Sequence, residues 1–513
     1  MNSKRLAFAT VLFAPLLTAA LAGCQGPVAP TVQPPGEKVS AKNSDCPMFG
    51  GSPQRNMVNT IDKDTPVLWS VAEGKKKNIK WMAQLGGNTA YGGPVVAGGK
   101  IYIGTNQKGN NTFEKALLLA FNEADGKLLW KIVHDFPPDE LFSEGKGSGL
   151  CSTPVVEGDR LYYVAPGCEV ICADTAGKVR WTYDMMKELK VVPHHLGNCS
   201  PLIVGDLVMV VTSNGVDNEG TLTSPKAPSF IAVNKKTGKL VWQSSLPGTK
   251  IIEGQWSNPA LAIVNGQPQV IFPGGDDVIY ALKPETGDLI WKCNCNPFPR
   301  KKGMRGIDPY FISTPVIAGD RLYIGLGVYP TNAHTPRFSY FLCLDVTKKG
   351  DVSMKSYDPK DVKNKGSALV WAFGGPINPP PEKGRQVYFG STISTAAVHD
   401  GLAYINEEGG YLHCLDAKTG KQYWSHDFKT SVWGSPYWVD GKVYIANDDG
   451  DVLIFKHGKE RQYYIAGKLA PGNKDNDRRV VPSNNLDDGI QSTPVVANGV
   501  LYIVTKTKLY AIR

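Results

Sequence analysis

An all-β fold, an eight-bladed β-propeller of four-stranded antiparallel blades, is predicted by three observations. A turn that delivers a tryptophan recurs along the chain, a proline-bearing strand phrase recurs ahead of it, and the two chain ends carry complementary pieces of the same unit. The 513 residues include 55 glycines and 37 prolines, so turns are frequent and long helices have little room.

The first elements lie outside the fold. Residues 1–23 open with Lys4 and Arg5, run through an apolar stretch interrupted by Pro15 and end in small residues, the layout of a secretory signal peptide rather than a spanning helix. Its end, Leu21-Ala22-Gly23-Cys24, resembles the bacterial lipobox, which implies cleavage before Cys24 and a lipid on the Cys24 sulfur. Gln25 stands where an Asp would resemble an inner-membrane retention signal, so the expected place in a Gram-negative envelope is the outer membrane, facing the periplasm. Residues 24–44 then read as the lipidated cysteine and a Pro-rich tether with a reach of ~60 Å at about 3 Å per residue. The propeller is expected over residues 45–513.

The C-terminal copy, STPVVANGVLYIVTKTKLYAIR, shows the grammar of a blade: a short strand with Pro494, an Asn498-Gly499 turn, a β-rich strand and a third strand at Leu509. Other copies add an Asp-x-x-Thr-Gly-Lys turn and a fourth strand with a tryptophan, as in DAKTGKQYW ending at Trp424. Copies begin at Gly92, Ser152, Ser200, Ser257, Ser313, Ser394, Gly434 and Ser492, which makes eight. A period of roughly 40–60 residues marks a repeat architecture. Short strands divided by Gly, Asn and Asp turns form antiparallel hairpins. One such sheet cannot bury both faces, so neighbours must stack, and closing them into a ring removes exposed edges.

Closure has its own signal. The last copy stops at Arg513 without a turn or a tryptophan, whereas NIKWMAQL around Trp81 is a fourth strand without partners. Trp81 is therefore expected to complete the last blade. With Trp130, Trp181, Trp242, Trp291, Trp371 and Trp424 it is expected to fill the space between blades, because a residue repeated in every blade serves the scaffold and a single site needs a single arrangement.

Cysteine placement follows the repeat. Cys172, Cys343 and Cys414 occupy a slot that other blades fill with Ala120, Ala232, Ala281 and Ala511, so a small buried position explains them. Cys151 and Cys199 open the first strands of consecutive blades, and an exported protein permits a disulfide between them. The net charge of +9 is spread along the chain without a basic stripe interleaved with aromatics, which argues against nucleic-acid binding; Lys75-Lys76-Lys77 reads as an exposed turn.

The phrases ALDAKTGKxxW and STPVVxxGxxYI resemble the repeat of the quinoprotein-like (PQQ-repeat) propellers, over roughly Trp69 to Arg513. That resemblance implies an eight-bladed propeller with two occupations: dehydrogenases dependent on pyrroloquinoline quinone (PQQ), and non-enzymatic BamB-like envelope lipoproteins. Fold alone does not choose between them. Family dehydrogenases imply a Ca²⁺ held by carboxylate and amide oxygens, an Asp base and two adjacent cysteines against the quinone, and calcium takes several hard oxygen ligands. This chain has no Cys-Cys pair; Cys293-Asn294-Cys295 is the nearest approach, read as surface thiols or a local disulfide. Gln255-Trp256-Ser257-Asn258 supplies no carboxylate where the dehydrogenases have one close after a Trp, and Asn214 in Ser213-Asn214-Gly215 resembles their calcium-ligating asparagine only as far as a hairpin turn does.

No metal site is expected. His194-His195, read as part of a strand, would point to opposite faces, and Asp448-Asp449-Gly450-Asp451 fits a hairpin tip. What remains is a surface. Residues three before the repeat proline form a ring at one end of the central strands: Tyr91, Cys151, Asn198, Trp256, Ile312, Ile393, Trp433 and Gln491. Of these, Tyr91, Asn198, Trp256, Trp433 and Gln491 are the candidate lining of a ligand or partner funnel, unless they plug the channel. Insertions at 216–229, 329–339, 353–369 and 377–385, with a polar stretch at 473–488, map to the rims. The sequence reading is a non-catalytic, lipid-anchored scaffold, without catalytic residue or cofactor, that meets envelope proteins through its rims and the membrane through Cys24. The alternatives are a dehydrogenase of alcohols or sugars with PQQ and Ca²⁺, and a propeller that binds a small ligand or carbohydrate.

Overall fold

A computed structural model describes residues 44–87, 92–108, 113–137, 148–298, 309–327, 339–382, 384–470 and 484–513. Among the described residues eight sheets of four or five strands follow one another along the chain, with a two-stranded ribbon, Tyr464–Ile465 and Lys468–Leu469, beside them. Blade 1 runs Val95–Ala97, Lys100–Lys108, Phe113–Asn122, Leu128–Asp135. The first three strands of blade 8 are Val495–Ala497, Val500–Val504 and Lys508–Ile512. Its fourth strand is Ile79–Gln84, paired antiparallel so that Trp81 faces Ala511 and Gln84 faces Lys508. The ring is closed by the strand that the sequence assigned to it.

The repeated tryptophan is a clasp between neighbours. The indole Nε1 of Trp81 donates to the Glu123 carbonyl in the turn of blade 1 at 3.1 Å, that of Trp130 to Thr175 at 3.2 Å, that of Trp181 to Lys235 at 3.0 Å and that of Trp242 to Pro284 at 2.7 Å. Each of these indoles lies against the glycine of the same turn, which explains that residue twice over. Gly126 has φ +72°, and a β-carbon there would lie 2.4 Å from Trp81 Cε3. Trp291 departs from the pattern: the segment after Asp345 has no Asp-x-x-Thr-Gly turn, and the buried indole donates instead to Gln269 Oε1 at 2.8 Å. In the same place Gly350–Asp351 adds a parallel fifth strand to blade 4.

The Ser-Thr-Pro phrase is a second clasp, at the inner ring. The Ser152 hydroxyl donates to the Cys199 carbonyl of the next blade at 2.6 Å, Ser257 to Ser313 at 2.7 Å, Ser313 to Ser394 at 2.6 Å and Ser394 to Gly434 at 3.0 Å. Buried hydroxyls need partners, and here each partner belongs to the neighbouring blade. Cys172, Cys343 and Cys414 are buried in the interblade cores beside Tyr162, Tyr323 and Tyr404.

Residues 46–59 thread the axis and touch every blade, in chain order except for blade 3, which Arg55 reaches. Cys46 exchanges backbone bonds with Val96 of blade 1, and the Pro47 carbonyl accepts from Val156 of blade 2. Pro53 and Gln54 accept from Leu261 and Ile317 of blades 4 and 5, and the Met57 amide donates to Ala396 of blade 6. Val58–Asn59 pairs in parallel with the inner strand Tyr437–Val439 of blade 7, and Asn59 Nδ2 donates to the Val496 carbonyl of blade 8 at 2.9 Å. Arg55 serves blade 3. Its fully buried guanidinium donates to the carbonyls of Ser200, Pro201, Pro259 and Phe49 at 2.9–3.0 Å. Desolvation lowers its pKa to about 10. These contacts sit at the turn end of the inner strands, so the axis is stoppered at that end. Among the described residues blade 7 has no clasp tryptophan after its third strand, and that strand is met at its outer edge by isolated bridges from Phe455 to Tyr463 and from Asp451 to Asn485.

Candidate functional site

Each outer strand hands the chain to the next inner strand across the opposite end of the axis, and those crossings enclose a cavity of about 460 Å³. The proline that follows fixes the extended backbone of its predecessor, so residues three before it meet at the mouth. Cys151, Asn198, Trp256, Ile312, Ile393 and Trp433 line the cavity. Gln491 turns away and donates through Nε2 to Asp448 Oδ1 at 3.3 Å, because the neighbouring blade's turn offers a carboxylate; it does not line the cavity. Tyr91 lies outside the described residues. Phe49, from the axial thread, contributes to the lining from the stoppered side.

One wall is aromatic and carries charge. The Trp256 ring stands 5.4 Å from that of His194, edge to face, and 5.4 Å from that of Tyr310. His194 holds the Val216 carbonyl through Nδ1 at 2.6 Å, and its Nε2 faces Glu253 Oε1 at 3.5 Å. The expectation that His194 and His195 point apart is corrected. They lie in a crossing rather than a strand, His195 takes φ +67°, and the rings come to 4.1 Å with both facing the cavity. Glu253 and Tyr310 were not singled out from sequence. Both sit in crossings of irregular length, and Glu253 stands three residues before Trp256.

Below this wall the polar groups are spent on joining blades. Asn258 Oδ1 accepts the Ser200 amide at 2.6 Å and its Nδ2 donates to Thr314 Oγ1 at 2.8 Å. The Ser435 amide donates to Thr493 Oγ1 at 2.9 Å, whereas the Asn198 amide oxygen accepts from the Ser213 hydroxyl of its own blade at 3.2 Å. Asn214 is away from the cavity: its Oδ1 accepts from the Val192 amide at 3.1 Å and its Nδ2 donates to the Ser224 carbonyl at 3.0 Å. Cys151 and Cys199 stand as free thiols in this structure. Cys151 donates to the Ser148 carbonyl, while Cys199 Sγ accepts from the Val211 amide within its own blade at 3.3 Å. Burial pushes both thiols up to about 12, which leaves Cys151 a poor nucleophile.

The other candidates fall elsewhere. Asp448 to Asp451 form the hairpin tip between Lys442–Ala446 and Val452–Lys456, with the Asn447 side chain accepting from the amides of Asp449 and Asp451. Among the described residues no group of three or more His, Cys, Asp or Glu is placed to hold a metal, and no helix is long and apolar enough to cross a membrane. Lys75, Lys76 and Lys77 are exposed. The 377–385 insertion is pinned where Arg385 pairs with buried Glu407, which also accepts from His413 Nε2 at 2.6 Å. Cys24, its tether, residues 329–338 and residues 473–483 lie outside the described residues.

Comparison with known sequences gives a family match. The sequence model described as outer membrane protein assembly factor BamB matches residues 54–215, 114–329 and 356–461. The chain is similar to the quinoprotein alcohol dehydrogenase PedH of Pseudomonas putida, 29% identical over 172 residues that cover 31% of this chain and 26% of that protein. It is similar also to the outer membrane protein assembly factor BamB of Bordetella pertussis, 24% identical over 258 residues, 48% of this chain and 51% of the other. These matches therefore span about a quarter and about half of the two relatives' lengths. The crystal structure of BamB from Moraxella catarrhalis superposes with a TM-score of 0.48 at 14% identity, over 84% of this chain and 97% of that one.

Proposed function

The chain belongs to the family described as outer membrane protein assembly factor BamB, and from that premise we propose that it is a non-catalytic, lipid-anchored propeller that serves as a protein-interaction scaffold in the bacterial cell envelope. Cys24 carries the lipid, the outer membrane receives it, and the propeller faces the periplasm. The described chain enters the fold at the stoppered end, where the Ser44 hydroxyl accepts from the Asn498 amide at 2.8 Å. The cavity mouth and the blade crossings at the other end are left for partners, which are envelope proteins.

The observation that carries this reading is how the inner ring uses its amides and hydroxyls. A Ca²⁺-quinone site needs several hard oxygen ligands aimed at one point and a carboxylate base. Here Asn258, Ser200, Thr314, Ser435 and Thr493 are engaged with each other across blade boundaries. Asn214 is engaged in its own turn region. Glu253, the carboxylate of the lining, faces His194 Nε2 at 3.5 Å; on this reading the donor set is not that of the cofactor, and no redox step is assigned to these residues.

A second reading draws on the aromatic wall. Trp256, Tyr310 and Trp433 around a cavity of about 460 Å³ suit a flat or sugar-like ligand, and a dehydrogenase is among the relatives. Turnover separates the two readings: the full chain supplied with PQQ, Ca²⁺ and a panel of alcohols and sugars is expected to leave a redox dye oxidised. Saturable dye reduction would overturn the scaffold reading.

A further inference from the structure

Away from the axial cavity, the outer edge of blade 4 holds two thiols in contact. The strand Leu289–Asn294 ends in Cys293-Asn294-Cys295, both cysteines are buried, and their sulfurs are 3.9 Å apart. Residues two apart in a strand point to the same side, so the spacing brings the thiols together. The surface thiols expected from sequence are corrected to buried ones, because a strap from blade 5 covers them. The Asn294 amide donates to Ser353 Oγ at 2.9 Å, the Met354 amide to the Asn294 carbonyl at 3.1 Å, and the Tyr357 hydroxyl to the Cys295 carbonyl at 3.1 Å. On the sheet side the Cys295 amide donates to the Asp277 carbonyl at 2.9 Å, and Cys293 pairs with Ile279. Hydrogen bonds hold the backbone on both sides, and the two thiols face each other in contact. A disulfide requires sulfurs at about 2.05 Å and β-carbons about 3.5–4.5 Å apart, closer than two residues of straight strand at about 3.3 Å each place them, so closing the bond bends the chain at Cys295, one residue past the strand end.

We propose that Cys293 and Cys295 form a reversible Cys-x-Cys disulfide at the edge of blade 4, beneath the blade 5 strap. The oxidant is a disulfide R–S–S–R of an oxidising compartment. One cysteine thiolate attacks it, forming a Cys–S–S–R bond and releasing RS⁻. The other, as thiolate, attacks the protein sulfur of that mixed disulfide, forms the Cys293–Cys295 bond and releases a second RS⁻. Two protons leave the cysteines and end on two RSH, and the two electrons lost by the pair reduce R–S–S–R. Burial, then the neighbouring Cys293, Asp277 and Asp276, hold the Cys295 thiol well above its ordinary value. Exchange therefore proceeds as the chain folds or when the strap lifts, and is slow in the closed blade.

The test uses the full chain, reduced with dithiothreitol in denaturant, refolded in mixtures of glutathione and glutathione disulfide, quenched, unfolded and blocked with N-ethylmaleimide. Trypsin cleavage after Lys292 and Arg300 isolates the peptide CNCNPFPR. The expected peptide is lighter by two hydrogens and carries no maleimide, and dithiothreitol restores both sites. Two maleimide groups at every glutathione ratio, or a glutathione adduct without ring closure, would overturn the proposal. The Cys295→Ser variant is expected to trap glutathione on Cys293. The thermal midpoint of the wild type is expected to rise on oxidation while that of the variant stays put, and identical wild-type midpoints in the two redox states would refute a stabilising bond.

Discussion

Replacing Gly126 with alanine tests the tryptophan clasp at the point where the ring closes. Two costs separate there. The first is conformational: φ at Gly126 is +72°, and a left-handed alanine costs roughly 1–2 kcal/mol. The second is contact with Trp81, whose Cε3 and Cδ2 would lie 2.4 and 2.7 Å from the new β-carbon. The indole must retreat, which costs about 1–3 kcal/mol for overpacking and about 1 kcal/mol for the Trp81–Glu123 hydrogen bond. Gly99→Ala is the control, since Gly99 has φ +75° in the same blade and nothing within 4 Å of its β-carbon. Urea unfolding followed by tryptophan fluorescence is expected to show a loss of about 1–2 kcal/mol for Gly99→Ala and about 3–6 kcal/mol for Gly126→Ala. Equal losses would refute the idea that this glycine is kept for the indole.

Further outcomes follow from the same geometry. Arg55→Met keeps the volume of the side chain but leaves four carbonyls of the axial thread and blades 3 and 4 without their donor; a loss on the order of 3 kcal/mol or more is expected in the same unfolding assay. Burial lowers the pKa of His134 and of His426 from 6.5 to about 4. The unfolded chain then binds more protons between these values, so stability is present above pH 6.5 and is lost as pH falls towards 4, by on the order of 3 kcal/mol for each histidine at most. His134→Phe is expected to flatten part of that slope in a pH series of melting curves, and an unchanged slope would remove His134 from the account. Cys24→Ala is expected to move the protein from the membrane to the soluble fraction on envelope fractionation, and unchanged membrane association would contradict the anchor.

Much of the fold was legible because the chain writes its blade rules repeatedly. Trp130 and Trp181 occupy the same place in the same phrase, so one inference served for both, and the orphan around Trp81 needed only the missing edge at Arg513. Trp291 kept its register but changed its partner to Gln269, since the turn it would have met was replaced by the strap. The axial thread was not legible. Asn56 finds Val398, and Asn59 finds Val496, through contacts hundreds of residues apart that no local pattern announces. The site was legible as far as the repeat register reached, which is to Asn198, Trp256 and Trp433. It stopped at the crossings, whose lengths differ from blade to blade: Glu253 and Tyr310 carried no repeat signal, and the two histidines were misjudged because alternation was assumed where His195 has a left-handed backbone. Gln491 was in register and still turned aside, because a side chain at a mouth follows the nearest acceptor, here Asp448.

Ser200, Asn258, Thr314, Ser435 and Thr493 spend their polar groups on neighbouring blades, and the proposed scaffold role requires that the ring hold no quinone. Calorimetric titration of the full chain with PQQ in the presence of Ca²⁺ tests it most directly. The account predicts no saturable heat for the wild type. Saturable, Ca²⁺-dependent binding that Trp256→Ala abolishes would contradict it and return the cavity to the dehydrogenases.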